Sequence, residues 1–213
     1  MEMVRLTARQ WDVRGCLKGR RGGGRRYVSR VSAAMSPGGG RLIDGNRPTS
    51  PKAWKIQYKA LKEKRVREVL GSDIDGLRRR GALLIDVRPS EEYDAGHIEG
   101  SLNVPLYKLI DGWSPQQCAR KATFAFFGIF NGTEYNDKFE SDLQALTDAK
   151  DEIVLICSTG GTLNPDQKSQ SRAQSRSLMA AYDMIGLGYE KIRFLDGGYN
   201  QWRNEEREIV VND

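Results

Sequence analysis

The run Ile153-Val154-Leu155-Ile156-Cys157-Ser158-Thr159-Gly160-Gly161 decides how the rest of the chain is read. Four aliphatic residues in succession describe a strand buried on both faces. The strand ends on a thiol, followed by small residues and two glycines. Downstream, Arg176-Ser177-Leu178-Met179-Ala180-Ala181-Tyr182 opens a pattern with helical periodicity. Strand, thiol, flexible loop and helix make a candidate nucleophile site. Loop amides converge on an anion, and a helix N-terminus adds positive potential. Such surroundings lower a cysteine pKa from about 8.5 to between roughly 3.5 and 7.5. The competing reading makes Cys157 a small buried hydrophobe at a strand end.

Working outward, Gly81-Ala82-Leu83-Leu84-Ile85-Asp86-Val87-Arg88 is a second buried strand, stopped by Pro89. Ser101 to Pro105 is a short third, and Lys191-Ile192-Arg193-Phe194-Leu195 is the last. Helices are predicted over Lys52–Lys64 with Trp54, Tyr58 and Leu61 as one apolar stripe, and from a capping box at Ser72 through Leu77. Short helices follow at Glu91–Tyr93 and around Phe139, Leu143 and Leu146; Gly197-Gly198 turns the chain toward Trp202. Alternating strands and helices imply an α/β domain with a mostly parallel sheet flanked by helices. Functional loops then lie at the carboxyl ends of the strands, where Cys157 sits.

Composition excludes several classes of function. The three cysteines, Cys16, Cys118 and Cys157, form no disulfide framework and no zinc-type pair, so a reducing compartment is expected. The single histidine, His97, excludes histidine-rich metal sites, and no metal or other cofactor is expected. The net charge of +6 divides unevenly: residues 1–50 carry 11 Lys/Arg against 3 Asp/Glu, and the remainder carries 23 against 25. The folded part offers no basic face for nucleic acid, so no nucleic-acid partner is expected.

Residues 1–50 lack an apolar period and are expected as a disordered basic leader. Their Arg-rich, Ser-containing, acid-poor make-up suits an organelle transit peptide, with Val28–Met35 as a processing region. An RNA-binding arm and a misplaced start are the competing readings. No apolar run approaches the roughly 20 residues that span a membrane. The segment Phe124–Phe130, with Phe124, Phe126, Phe127 and Phe130, reads as a lid or extra core layer; a peripheral membrane or protein contact is the other reading.

The ordered set Leu84-Ile85-Asp86-Val87-Arg88 through Tyr93, Gly96-His97-Ile98, Gly100 to Pro105, Cys157 to Gly160, Arg176-Ser177 and Gly197-Gly198 with Trp202 resembles the signatures of rhodanese-like domains. The resemblance covers about residues 66–205. With the leader and the Phe-rich insertion, the chain is similar to single-domain rhodanese-like proteins of plant and algal chloroplasts. It implies residues 51–65 as a linker helix and 66–213 as the domain, with insertions at about 113–140 and 162–175. It also implies a chloroplast location, stromal or thylakoid-associated.

The activity that the resemblance implies is sulfur transfer, from a small sulfur donor such as thiosulfate to a thiophilic acceptor. Cys157 is then the nucleophile and carries the persulfide. Ser158, Thr159, Gly160 and Gly161 form the substrate cradle, and Arg176 and Ser177 close it. Asp86, Arg88 and His97 support the loop, although His97 also reads as a structural histidine in a turn. Cys118 is either a resolving thiol or an idle one.

One departure is large. The family loop Cys-x-x-Gly-x-Arg-Ser separates cysteine and arginine by four residues, whereas eighteen separate Cys157 from Arg176 here. The insertion at 162–175 either loops out and leaves the cradle whole or replaces it. A non-catalytic rhodanese-fold binding module is therefore the alternative function. A cysteine phosphatase needs an arginine about six residues after the cysteine, where Leu163 stands.

Overall fold

The computed structural model describes residues 42–110, 132–164 and 174–212, with single positions at 115, 118, 119 and 122. Residues 1–41 of the leader, the Phe124–Phe130 segment and residues 165–173 of the insertion lie outside the described residues.

Five strands form one parallel sheet: β1 (Arg67–Val69), β2 (Leu83–Asp86), β3 (Leu102–Asn103), β6 (Glu152–Ile156) and β7 (Lys191–Leu195). Their order is β1-β7-β6-β2-β3, every neighbouring pair parallel. The run that ends on Cys157 is the central strand β6. A central parallel strand is covered on both faces, which is why its sequence shows no polar alternation.

The two faces separate cleanly along the pleat. Ile153, Leu155 and Cys157 join Ile85, Val87, Ile192 and Phe194 in one core cluster. Helices α1 (Pro51–Glu63), α4 (Phe139–Leu146) and α5 (Arg176–Gly186) cover that face through Leu61, Phe139, Leu143, Leu178 and Met184. Val154 and Ile156 point the other way, toward Leu84 and Leu195. There α2 (Ile74–Arg79) and α6 (Gly198–Asn204) supply Ile74, Leu77, Tyr199 and Trp202. Each such fully buried aliphatic contributes about 1.5–3 kcal/mol.

Helix α1, expected as a linker, is built into the core: Ala53 and Leu61 are fully buried. Ser50 caps it by accepting the Ala53 amide at 3.2 Å, and Pro51 occupies its first turn. Its inner face is Ala53, Gln57 and Leu61 rather than the expected Trp54, Tyr58 and Leu61. Trp54 and Tyr58 pack beside the core as a T-shaped pair with centroids 5.9 Å apart. The small Ala53 in the first turn lets that end of the helix approach closely, and the large rings then cover the flank.

The start of α2 also differs from the expectation. A single 3-10 turn, Gly71–Asp73, precedes it, and the Asp73 carboxylate accepts the Leu70 amide at 3.3 Å, so Asp73 does what the Ser72 box was expected to do. The helix runs on to Arg79, past Leu77. The Glu91–Tyr93 helix is α3, Ser90–Asp94. No local pattern announces the small antiparallel sheet of β4 (Tyr107–Leu109) and β5 (Thr133–Tyr135). Ile110 donates to Gly132 O at 3.0 Å, which extends this pairing by one more bond.

Candidate active site

Cys157 follows β6 at its carboxyl end, and its side chain is 1% exposed. The thiol faces the α5 side of the sheet, and the Gly160 amide donates to its Sγ at 3.3 Å. The Gly161 amide is committed to Thr159 O at 2.9 Å. Thr159 itself is exposed, Ser158 half-buried, and both glycines are buried.

Two helix starts hold this loop. At α6 the Tyr199 amide donates to Cys157 O at 2.8 Å and the Asn200 amide to Ser158 O at 3.0 Å. The approach is backbone against backbone. A Cβ on Gly198 would collide with Cys157 O and lie 2.6 Å from Gly160 N, and one on Gly160 would lie 2.7 Å from Gly197 N. Both residues also have positive φ, 74° at Gly160 and 60° at Gly198, so glycine is required twice over.

At α5, Ser175 performs two tasks. Its Oγ accepts the Leu178 amide at 3.2 Å as the helix cap and donates to Gly160 O at 2.7 Å. The far end of the insertion is thereby returned to the loop it left. The near end is anchored by Leu163, 4% exposed in the same core cluster as Leu178. Lys62 holds Asn164 at 2.9 Å, and Gln174 donates to Pro48 O at 2.7 Å. Both ends of the insertion are thus anchored, while residues 165–173 between them lie outside the described residues. Ser175 was not among the expected site residues, although a serine just before a helical period is a cap signal.

Asp86 and Arg88 form a buried pair. The guanidinium donates to the carboxylate through Nε at 3.0 Å and Nη2 at 2.7 Å, and the Arg88 amide adds a bond at 2.9 Å. Asp86 is fully buried and Arg88 nearly so. Arg88 also lies 3.9 Å over the Tyr199 ring, donates to Gly96 O at 2.8 Å and to Glu92 O at 3.2 Å. It joins β2, α3 and α6 around one point.

His97 is held elsewhere. Its ring stacks on Tyr93 at 3.9 Å, Nδ1 lies 3.1 Å from Tyr93 O, and its backbone bridges to Val210. Burial pushes the Tyr93 phenol above its ordinary pKa, and its hydroxyl donates to Ser101 O at 2.6 Å. Ser177 is fully buried on α5, and its hydroxyl has no hydrogen-bond partner among the described residues. Cys118 and Cys157 are free thiols, Cys118 half-buried.

Sequence alone assigns Glu92 no role at the site, but the structure brings it to the cysteine loop. Ser158 Oγ donates to Glu92 Oε2 at 2.9 Å, Arg176 Nη1 to Glu92 Oε1 at 3.1 Å, and Arg176 Nη2 to Ser158 Oγ at 3.1 Å. The three close a triangle beside Cys157. An acid in the first turn of a short helix is a cap-like signal, but only tertiary structure shows where this one reaches. Among the described residues no group of His, Cys, Asp and Glu could hold a metal ion, and no helix is long and apolar enough to cross a membrane.

Comparison with known proteins agrees with this geometry. Residues 72–205 match the family model for the rhodanese-like domain. The chain belongs to the rhodanese-like domain family. It is 40% identical over 181 residues to rhodanese-like domain-containing protein 14, chloroplastic, of Arabidopsis thaliana, covering 82% of this chain and 81% of that one. It is 25% identical over 138 residues to thiosulfate sulfurtransferase 18 of the same plant, covering 63% of this chain and 79% of that one. Among solved structures, a polysulfide-sulfur transferase homodimer from Wolinella succinogenes is 18% identical with a TM-score of 0.43, covering 76% of this chain and 90% of that one. The curated relatives of this chain include one named as a thiosulfate sulfurtransferase.

Proposed function

We propose that the protein is a sulfurtransferase that moves sulfane sulfur from a donor such as thiosulfate to a thiophilic acceptor through a persulfide on Cys157. The observation that carries this reading is the Gly160 amide aimed at the Cys157 Sγ, 3.3 Å away, in a loop fastened by two helix starts. A fixed amide donor favours a sulfur anion without reorganising during the step.

The thiolate attacks the outer sulfur of thiosulfate. A new S–S bond forms, the donor's own S–S bond breaks, and its electron pair leaves with sulfite. The resulting persulfide is anionic and is held by the same loop. A thiophilic acceptor then takes the outer sulfur, and the Cys157 thiolate is restored. No general base is required beyond the one that removes the first thiol proton. In this reading Ser158, Thr159, Gly161, Arg176 and Ser177 border the substrate, while Asp86, Arg88 and His97 act only by holding the backbone. Cys118 has no part in the step. The chloroplastic name of the 40% identical relative, together with the Arg-rich leader, supports a chloroplast location.

A second reading, a rhodanese-fold binding module without turnover, is favoured by one observation: the nucleophile is only 1% exposed. One experiment separates the two. Cyanolysis with thiosulfate is expected to yield thiocyanate, to be abolished by Cys157→Ser and to be unaffected by Cys118→Ser. A wild-type protein that forms no persulfide with thiosulfate or with an organic persulfide would leave the binding module.

A further inference from the structure

The carboxylate of Glu92 occupies a particular set of donors. One oxygen accepts the Ser158 hydroxyl at 2.9 Å and the other accepts the Arg176 guanidinium at 3.1 Å. A hydroxyl and a guanidinium beside a nucleophile are what the oxyanion of an incoming donor would use. Here an internal anion already holds both.

Its position is fixed from behind. The Glu92 amide donates to Pro89 O at 3.0 Å, and its carbonyl accepts from Arg88, whose other bonds go to buried Asp86 and to Gly96. The buried pair thus holds the backbone from which the carboxylate reaches Ser158 and Arg176. No other acid among the described residues is bonded to Arg176 or Ser158.

We infer that Glu92 sets the charge of the donor that Cys157 accepts, favouring persulfides of uncharged thiols (R–S–SH), which carry at most one negative charge, over dianions such as thiosulfate. The inference rests on the sulfurtransferase reading and narrows its substrate class. Thiosulfate must either displace Glu92 from Arg176 and Ser158 or approach beside it, and both oppose a charge of −2. The persulfide of an uncharged thiol meets a smaller obstacle as its monoanion and none in its protonated form. The Cys157 thiolate bonds to its outer sulfur, and the donor S–S bond breaks toward the inner sulfur. The outer sulfur's proton passes to that inner sulfur, which leaves as R–SH.

The test uses alkylation rates of Cys157 in the full chain, followed by peptide mass spectrometry, with anionic iodoacetate and neutral iodoacetamide. Glu92→Gln keeps the shape and removes the charge. The iodoacetate-to-iodoacetamide rate ratio is expected to rise about three- to tenfold, a size set by a half-exposed carboxylate bonded to the residue next to the nucleophile. The KM for thiosulfate should fall in the same range. The rate with the persulfide of a neutral thiol, N-acetylcysteine amide, should change less than about twofold.

A second measurement needs no variant. In the wild-type chain, roughly 1 M salt should raise the Cys157 ratio relative to that of free N-acetylcysteine amide, because it screens the carboxylate. An unchanged ratio in Glu92→Gln, or no relative rise with salt, overturns the inference and leaves the sulfurtransferase reading intact. A ratio that rises in a protein turning over neither donor keeps the charge filter and removes the sulfurtransferase reading.

Discussion

Two ion pairs flank the cysteine loop, and they differ in almost every physical respect. Asp86 and Arg88 are sealed, with side chains 0% and 3% exposed and a donor–acceptor distance of 2.7 Å. Glu92 and Arg176 are open, 42% and 29% exposed, at 3.1 Å. In the sealed pair the charges have no recourse to water, so each requires the other and the carbonyls around it. In the open pair water can replace either partner at small cost. The sealed pair suits fixed architecture, and the open pair suits a position where a ligand's charge has to be weighed. They are connected in series, because Arg88 holds the backbone from which Glu92 reaches.

The largest effect expected from this contrast falls on the sealed pair. Arg88→Ala leaves the Asp86 carboxylate buried and unpaired, a loss of about 3–5 kcal/mol. The melting temperature should drop by roughly 10 °C for a chain of this size. Residual sulfur transfer, corrected for the folded fraction, should stay within an order of magnitude of wild type. A stable Arg88→Ala protein that has lost all turnover would break the comparison by making Arg88 part of the chemistry.

An intermediate effect is expected at Ser175, which links the returning insertion to the loop. Ser175→Ala removes the α5 cap and the bond to Gly160 O together. The cap alone is worth about 1 kcal/mol. Thermal unfolding should show that loss. Cys157 alkylation should also become less uniform, since Gly160 would lose one of the bonds that fix its amide beneath the thiol. A normal melting curve would mean that Leu163 and Lys62 suffice to anchor the insertion.

These contrasts also mark where the sequence was informative. β2 and β6 were legible because strands covered on both faces are mostly apolar, and β7 was legible from the alternation of buried Ile192, Phe194 and Leu195 with Lys191 and Arg193. β1 was not: Arg67 and Glu68 are exposed on an edge strand of three residues, and only Val69 is buried. The sheet of β4 and β5 joins Tyr107 to Tyr135 across a long separation, and no local periodicity encodes such a pairing. The inner face of α1 was misjudged by one residue because size was taken for burial at Trp54, whereas Ala53 makes the close contact. At the site, the positions on the loop could be read from their order. Glu92 could not, since its two partners lie 66 and 84 residues away.

The smallest expected effect is the stability change of Glu92→Gln, and its smallness matters. If the Glu92–Arg176 pair existed to brace the loop, removing its charge would cost stability on the scale of a buried contact. The exposure of both side chains instead limits the loss to about 1 kcal/mol or less. Glutamine can still accept the Ser158 hydroxyl, so the loop keeps one of its two bonds to α3. The variant should therefore melt within a few degrees of wild type while its discrimination between charged and neutral reagents shifts several-fold. Thermal unfolding at low and high salt checks the point: the small difference between the two proteins should vanish at high salt. A large, salt-independent destabilisation would place Glu92 with the sealed pair, and the division between architecture and selection would then fail at this residue.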